Sequence, residues 1–259
     1  MKKMPALFVG HGSPMNVIAH NAYTEALGAL GASLPAPRGI LVVSAHWVTP
    51  GLRVTSSPSP RQIYDFFGFP DELYGIRYEA PGSPELAART SGLLARAGFP
   101  CAQDPNRGID HAAWAVLLHM YPKADIPVIE MSLDYKMKSG HWFEMGAALA
   151  VLREEGILVL GSGNIVHNLY RFEAATDAKP FPWALKFNDA VKAAVAGDDR
   201  EKLALFALPV EESRDAVPTP EHYLPLLPVL GTIGEGEKAS IFHESIQNAS
   251  IAMTGFMIG

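Results

Sequence analysis

The chain has 259 residues, 48% hydrophobic and 19% charged, which is enough for one large α/β domain with a sizeable core. Its net charge of −6 and the lack of a basic block argue against nucleic acid or an anionic membrane as partner. The single cysteine, Cys101, excludes an intrachain disulfide and a cysteine-based zinc site, so a metal here must be held by His, Asp or Glu. The opening apolar run is too short for a secretion signal or a membrane span, and we expect a cytoplasmic protein.

Three buried strands are predicted, and each leads into a histidine. They are residues 6–10 before His11, residues 40–44 before His46, and residues 157–160, which run through Gly-Ser-Gly-Asn to His167. Uncharged apolar runs of this kind are typical of strands at the centre of a parallel sheet. Ligand sites in open α/β sheets lie outside the carboxyl ends of the strands, so we expect the three histidines to converge.

The rest of the chain predicts further helices and strands. Ser83 and Pro84 are typical of a helix start, and Gly98 ends that helix; Asp110 is the expected cap of another. Other helices are expected at residues 23–30, 111–120, 142–155, 184–196 and 200–207, and other strands at 52–55, 126–132, 239–243 and 251–258. With no repeat, low-complexity tract or linker, we expect a single α/β/α domain over residues 1–259.

One long segment, residues 56–75, interleaves prolines with aromatic rings. Its rings belong to Tyr64, Phe66, Phe67, Phe69 and Tyr74. A loop of this length in a compact domain is usually functional, so we expect it to line a substrate pocket. The alternative interpretation is that the rings only fill an edge of the core.

The nine histidines include no HExxH or HxH pair, so their positions in the predicted fold carry the argument. Besides the three that follow strands, His111 and His222 lie near predicted helix starts, after Asp110 and Glu221. Imidazoles bind Zn(II) or Fe(II) well, and a site with open positions serves catalysis. We therefore expect a shared metal site. The remaining histidines are assigned to the surface or to packing: His20, His119, His141 and His243.

Other chemistries receive less support. Gly161–Asn164 is glycine-rich but lacks both GxGxxG and the lysine of a phosphate loop, and no GxSxG elbow occurs. Ser13 and Ser44 lie near histidines, which leaves a serine hydrolase open, although nothing activates them specifically. Cys101, in apolar surroundings, is expected to be inert. Three aspartates could orient a metal-binding histidine by a hydrogen bond to its other ring nitrogen: Asp104, Asp110 and Asp134.

Five motifs, in family order, resemble the class III extradiol ring-cleavage dioxygenases. They read PALFVGHGSPMN, VVSAHW, GIDHAAW, GSGNIVHNL and TPEHYLPLL. The most similar branch is the 4,5-DOPA dioxygenase family within the LigB-like superfamily, and the resemblance extends from Met4 into the C-terminal strands. It implies a three-layer α/β/α sandwich around a mostly parallel mixed sheet, with one mononuclear metal.

The resemblance also implies roles for individual residues. Three histidines match the family's metal ligands: His11, His46 and His222. Many class III enzymes have a glutamate as third ligand, and Glu221 stands next to His222. His167 matches the histidine beside the metal, as catalytic base or as a fourth ligand, and His111 matches a catalytic histidine facing the substrate. The expected substrate-binding residues are Ser13, Tyr64, Phe66 and Tyr223.

The implied reaction is the extradiol cleavage of a catechol, DOPA-like in shape, with O2 to a muconic semialdehyde at Fe(II) or Zn(II). The expected partners are a small aromatic diol and O2, and the expected assembly is a monomer or small homo-oligomer. Two alternatives stay open. A zinc-dependent hydrolase would use the same histidines to activate water, and a non-enzymatic binding protein would resemble the Memo-like relatives of the superfamily.

Overall fold

The computed structural model describes residues 3–208 and 210–259, which form a sheet of eight strands covered by helices. The sheet strands are β1 (Ala6–Gly10), β2 (Gly39–Thr49), β3 (Leu52–Thr55), β4 (Cys101–Asp104), β5 (Val128–Asp134), β6 (Ile157–Gly163), β7 (Ala239–His243) and β10 (Gly255–Ile258), and a separate pair is formed by β8 (Ile246–Gln247) and β9 (Ile251–Ala252). Their order in the sheet is β4-β3-β5-β2-β6-β1-β10-β7. The central strands β5, β2, β6 and β1 are parallel, whereas β10 and β7 add an antiparallel edge.

Helices cover both faces of this sheet. They are α1 (Ala22–Ser33), α2 (Asp71–Gly75), α3 (Pro84–Arg96), α4 (His111–Met120), α5 (His141–Glu154), α6 (Pro182–Ala196), α7 (Arg200–Phe206) and α8 (Leu226–Gly231). Side chains alternate between the faces along a strand: Leu41 and Val43 join one core cluster, and Ile40 and Val42 join the other. The predicted fold class, a three-layer α/β/α sandwich around a mostly parallel mixed sheet, is confirmed. Among the described residues, no helix has the length and apolar character needed to span a bilayer.

Three predicted strands have other bounds in the structure, and one of them, expected over residues 126–132, is β5 (Val128–Asp134). The strand expected to end at His46 continues to Thr49, because Val48 and Thr49 resume pairing with β5. The strand expected over residues 251–258 is two strands, β9 and β10. β9 pairs with β8 outside the main sheet, where the Ala252 carbonyl accepts a hydrogen bond from the Asn164 side chain, and β10 pairs with β1 and β7 within the sheet.

A buried arginine ties both ends of the chain to α5. Arg153 is fully buried in α5, and its guanidinium lies 2.7 and 2.8 Å from the two carboxylate oxygens of Glu237. Its other acceptors are the backbone carbonyls of Met4, Thr232 and Ile258. Burial acts to raise the pKa of Glu237, but the hydrogen bonds from Arg153 and its other donors outweigh burial and lower the pKa to about 2. The cation is therefore fully paired.

We expect Arg153→Met to lower the free energy of unfolding by about 3–5 kcal/mol, because it leaves Glu237 and the carbonyls without their donor. Denaturant unfolding followed by circular dichroism measures this loss. The matched control is Arg89→Met, which removes an ion pair with Glu155 between two partly exposed side chains and should lower the free energy of unfolding far less. Equal losses in the two variants would contradict the role given to Arg153.

Candidate metal centre and active site

Three histidines from distant parts of the chain meet beyond the carboxyl ends of the central strands. His11 follows β1, His46 lies near the end of β2, and His222 precedes α8. The Nε2 atom of His46 is 3.2 Å from Nε2 of His11 and 3.2 Å from Nε2 of His222. The register of β2 against β5 shifts between Val43 and Val48, the stretch that contains His46, and such irregularities re-aim side chains toward sites. The structure thus brings together the three predicted ligands.

The protonation of His11 follows from the groups behind it. Its Nδ1 is 3.1 Å from Ser162 Oγ, and that hydroxyl donates its own proton to the carbonyl of Ala112. Ser162 Oγ can then only accept from the imidazole, so the proton of His11 lies on Nδ1. The Nε2 atom is left with a free lone pair that faces the other two histidines.

Carboxylates stand behind the other two imidazoles in the same way. His46 Nδ1 makes a short but bent contact of 2.8 Å with Asp65 Oδ2, and His222 Nδ1 is 3.1 Å from Glu221 Oε1. A carboxylate at Nδ1 holds the ring proton there and leaves Nε2 free to ligate. Burial acts to lower the pKa of His46, but the contact with Asp65 and the nearby negative charges raise it. Because Glu221 contacts the Nδ1 atom of His222, this carboxylate supports His222 from the side away from the other two histidines' Nε2 atoms.

These residues fit a divalent metal ion. Three imidazole nitrogens that converge at 3.2 Å need a cation among them, which is either a metal ion or a proton on His46 Nε2. Metal–nitrogen distances of about 2.0–2.2 Å place neighbouring ligand nitrogens roughly 3 Å apart, close to what is observed. Burial, followed by the charges of the neighbouring histidines, lowers the pKa values of His11 and His222 well below the usual range. Both rings are therefore neutral near pH 7, which is the form that binds metal.

Asp65 joins a candidate ligand to a second histidine. Its Oδ2 atom contacts His46, while Oδ1 accepts from both Nδ1 and the backbone N–H of His111, each at 2.9 Å. Burial acts to raise the pKa of Asp65, but the bonds from the two imidazoles lower it well below the usual range. A single carboxylate therefore orients both rings and leaves the Nε2 atom of His111 for the cavity.

Of the three aspartates expected to orient histidines, Asp110 does so indirectly, because the Ser44 hydroxyl that it binds accepts from the backbone N–H of His46; for Asp104 and Asp134 the prediction was wrong. Asp110 is the N-cap of α4 and accepts from the hydroxyl of Ser44. Asp134 accepts from a backbone N–H in the turn after β2, and Asp104 accepts from the backbone of the turn after β4. Sequence reasoning missed Asp65, because a lone aspartate in an irregular loop has no periodic or capping pattern; its only signal was its place among the aromatic residues of segment 56–75.

A cavity of about 460 Å³ opens above the three Nε2 atoms. Five histidines line it: His11, His46, His111, His167 and His222. The other lining residues are Gly12, Ser13, Pro14, Asp65, Phe66, Phe67, Phe69, Leu169, Phe172 and Ile251. Segment 56–75 therefore supplies part of the wall, as predicted, while Phe66 also packs in the core. A larger groove of about 620 Å³ along α6 and α7 contains none of these histidines.

Two of the expected substrate-binding residues do not line this cavity. Ser13 and Phe66 do line it. Tyr64 directs its hydroxyl to the carbonyl of Ile76 and lies beneath the wall, so its assignment was wrong. Tyr223 is fully buried, and its hydroxyl donates to a backbone carbonyl in α7 at 3.1 Å. This second error arose because Tyr223 follows a candidate ligand in sequence, whereas its side chain points into the core.

His167 lies beside the three-histidine group. Its ring stacks on that of His222, with centroids 3.5 Å apart and planes inclined by 7°. Burial, followed by the charges of His222 and His46, lowers the pKa of His167 well below the usual range. The ring is therefore neutral near pH 7 and able to accept a proton at the cavity wall.

The Gly161–Asn164 motif, which resembles a phosphate loop only loosely, holds the backbone of the site together. A Cβ atom on Gly163 would lie 2.1 Å from the carbonyl oxygen of His222. The N–H of Asn164 donates to that same oxygen at 2.8 Å. With Ser162 supporting His11, the motif brings two candidate ligands against the end of β6.

We expect Gly163→Ala to weaken metal binding by about 10–100-fold, the range seen when support behind a metal ligand is lost, because the new methyl group must displace the backbone of His222. Titration against a chromophoric chelator measures the affinity. Gly140→Ala is the matched control, since a Cβ atom there meets nothing within 4 Å. Unchanged affinity in Gly163→Ala would contradict the role of this close approach.

Comparison with known proteins covers nearly the whole chain. The family described as the catalytic LigB subunit of aromatic ring-opening dioxygenase matches residues 8–259. An Escherichia coli (strain K12) protein named 4,5-DOPA dioxygenase extradiol is 47% identical over 260 residues, 99% of this chain and 95% of that protein. A Beta vulgaris protein of the same name is 38% identical over 247 residues, 92% of this chain and 90% of that protein. A crystal structure titled as an uncharacterized protein from Escherichia coli K12 has a TM-score of 0.86 at 44% identity, covering 99% of this chain and 100% of that one.

The matched region contains all five histidines that line the cavity, and the names of the relatives define the class as an oxidoreductase that acts with dioxygen. The chain belongs to the LigB family of aromatic ring-opening dioxygenases, and it is an extradiol dioxygenase, as its motifs predicted. The alternatives of a zinc hydrolase and a non-enzymatic binding protein are set aside.

Proposed function

We propose that this dioxygenase holds one divalent metal on the Nε2 atoms of His11, His46 and His222 and opens a catechol ring to a muconic semialdehyde. The observation that supports this best is the convergence of the three Nε2 atoms within 4.8 Å of one another, with each Nδ1 atom facing an acceptor. When bound, Fe(II) would supply the redox chemistry with O2, which Zn(II) lacks, and would lower the pKa of the catechol hydroxyls. The names of the relatives, which specify extradiol cleavage of DOPA by those proteins, support an aromatic diol as substrate.

In this proposal His167 takes the hydroxyl proton of the substrate. A positioned imidazole is the usual group for proton transfer near neutral pH. The lowered pKa keeps the ring of His167 in its accepting form, and its stacking on His222 places it beside the proposed ligands. We therefore infer that His167 serves as a base next to the diol, and a fourth ligand is the alternative, because a neutral imidazole also binds metal.

His111 is the proposed hydrogen-bond partner of a substrate oxygen: its Nε2 atom accepts when the ring is neutral and donates a proton when the ring is the imidazolium. Asp65 holds its Nδ1 atom, so Nε2 is the nitrogen presented to the cavity. Phe66 meets the ring of His111 edge-on, with centroids 5.3 Å apart. The Asp65 carboxylate and the Phe66 ring limit how far His111 can turn. This restraint keeps the Nε2 atom of His111 directed into the cavity, where a substrate oxygen would lie.

Anaerobic loading with Fe(II), followed by a panel of catechols, tests this function. We expect uptake of one O2 per catechol and the absorbance of a ring-opened semialdehyde, since both oxygen atoms enter the product. The matched control is the same protein loaded with Zn(II), which should give neither signal. No oxygen uptake with any catechol, or uptake without a ring-opened product, would refute the proposal.

A further inference from the structure

A buried carboxyl group next to α4 has no part in the proposed reaction. Glu130 is fully buried on the central strand β5, where an acidic side chain is rarely found without a partner. Its Oε2 atom accepts the backbone N–H of Asp110 at 2.9 Å. No N–H or O–H group of the described residues hydrogen-bonds its Oε1 atom, and the guanidinium of Arg107 lies 3.6 Å from it. A buried polar atom without a donor costs stability, so a functional reason for Glu130 is expected.

Asp110 is the second buried carboxyl of this group. It accepts from the Ser44 hydroxyl at 2.9 Å, from Arg107 at 2.8 Å and from the backbone N–H of Ala112 at 3.1 Å. Three donors of this kind suit an ionised carboxylate. The Asp110 side chain is therefore satisfied as an anion, and Arg107 balances its charge.

One guanidinium cannot balance two buried carboxylates, so the other carboxyl is neutral. Glu130 lacks the donors that Asp110 has, and it is therefore the member of the pair that keeps its proton. Burial, followed by the negative charge of Asp110, raises the pKa of Glu130 well above its usual range. The two carboxyl groups share a hydrogen bond. Glu130 thus binds Asp110 at two points, as acceptor for the backbone N–H and as donor to the carboxylate.

These two contacts fix the point where α4 begins. Asp110 is the N-cap of α4, and His111 is the first residue of the helix. The backbone N–H and the Nδ1 atom of His111 both donate to Asp65 at 2.9 Å. A shift of the helix start therefore moves the ring of His111 relative to Asp65 and to the three-histidine group.

We propose that Glu130 is a positioning residue for the ring-cleavage reaction, because it holds the first turn of α4 through Asp110 and so directs the Nε2 atom of His111 into the cavity. Glu130 itself does not line the cavity. The inference rests on the proposed function, in which His111 contacts a substrate oxygen. Misplacement of a reacting group by about 1 Å can cost roughly 10²-fold in rate, so a distant carboxyl can control turnover in this way.

Hydrogen exchange tests the positioning without turnover. In 15N-labelled protein loaded with diamagnetic Zn(II), the exchange rate of the His111 amide is compared with that of the Leu117 amide in the same helix. Glu130→Met keeps the length of the side chain but removes both contacts with Asp110, and it should raise the ratio of the two rates at least about tenfold. Global destabilisation would accelerate both amides alike. Glu130→Gln, whose amide accepts and donates at the same two points, should restore the ratio. An unchanged ratio in Glu130→Met would overturn the inference.

Turnover with Fe(II) and a catechol gives the second readout. We expect kcat of Glu130→Met to fall roughly 10²-fold at full metal content, and Glu130→Gln to recover most of it. The matched control is Ser132→Ala, because Ser132 is buried on the same face of β5, and its hydroxyl contacts Thr49 and the backbone of Arg53 instead of α4. It should keep kcat within about twofold even if it is less stable. Glu130→Gln as slow as Glu130→Met, or an equal loss in Ser132→Ala, would overturn the inference.

A third variant covers the case in which Glu130→Met does not fold. Glu130→Asp keeps a carboxyl but withdraws it from Asp110 by one methylene group, so it should be slower than Glu130→Gln and protect the His111 amide less. The reverse order would overturn the inference. If the unaltered protein cleaves a catechol and Glu130→Met keeps full kcat, the inference fails and the proposed function stands. If no catechol is cleaved, the proposed function fails, and the exchange ratio still decides whether Glu130 positions His111.

Discussion

His46→Ala should remove the bound metal and the turnover together. His46 is the middle member of the three-histidine group, with its Nε2 atom 3.2 Å from those of both His11 and His222. Without it, two proposed ligands remain, and the Oδ2 atom of Asp65 loses its contact while Oδ1 still accepts from His111. Loss of a hydrogen-bond partner of a metal ligand already costs about 10–100-fold in metal affinity or activity. Loss of the ligand itself should therefore lower the metal affinity at least about 100-fold.

Elemental analysis after gel filtration and oxygen uptake with catechol measure the two losses in the same preparation. His20→Ala is the matched control, because His20 is an exposed histidine outside the cavity lining. It should keep full metal content and full turnover. Metal content near that of the unaltered protein in His46→Ala, and likewise in His11→Ala and His222→Ala, would show that the metal is held elsewhere.

His167→Ala and His111→Ala should keep the metal and lose most of the turnover. Neither residue belongs to the group in which His11, His46 and His222 converge, while both line the cavity. A missing general acid or base typically costs roughly 10²–10⁴-fold in rate. We therefore expect kcat to fall by this factor while metal content stays within error of the unaltered protein.

His167→Gln distinguishes proton transfer from packing. Glutamine preserves much of the side-chain volume against His222 but cannot take a proton, so it should be as slow as His167→Ala. Recovery of turnover in the glutamine variant would show that His167 only supports the ring of His222. Loss of metal from His167→Ala as complete as from His46→Ala would make His167 a ligand and leave the base to another residue.

The elements and the convergence of two candidate ligands could be predicted from local patterns. Uncharged apolar runs identified β1, β2 and β6, and capping residues such as Ser83 and Asp110 identified two helix starts that the structure confirms. Carboxyl ends of parallel strands meet at one edge of a sheet, so His11, His46 and His167 were expected to lie together. His222 follows no strand, and only the resemblance to a family indicated it as a ligand.

The supporting residues could not be predicted, because their roles depend on chain segments far away in sequence. Asp65 lies in an irregular loop, and its partners His46 and His111 are brought to it by β2 and α4. The need for glycine at Gly163 arises from a carbonyl nearly sixty residues later, which no local pattern shows. Tyr223 illustrates the converse: its position beside a ligand says nothing about where its side chain points.

Anomalous diffraction at the iron edge, from crystals grown anaerobically with Fe(II), tests the central claim most directly. The account predicts one anomalous peak within about 2.2 Å of the Nε2 atoms of His11, His46 and His222. Two other groups of side chains in the described part of the chain have comparable spacing: His46 with Asp65 and His111, and His167 with Glu221 and His222. A peak bound by either of these groups, or no peak near His46, would contradict the account.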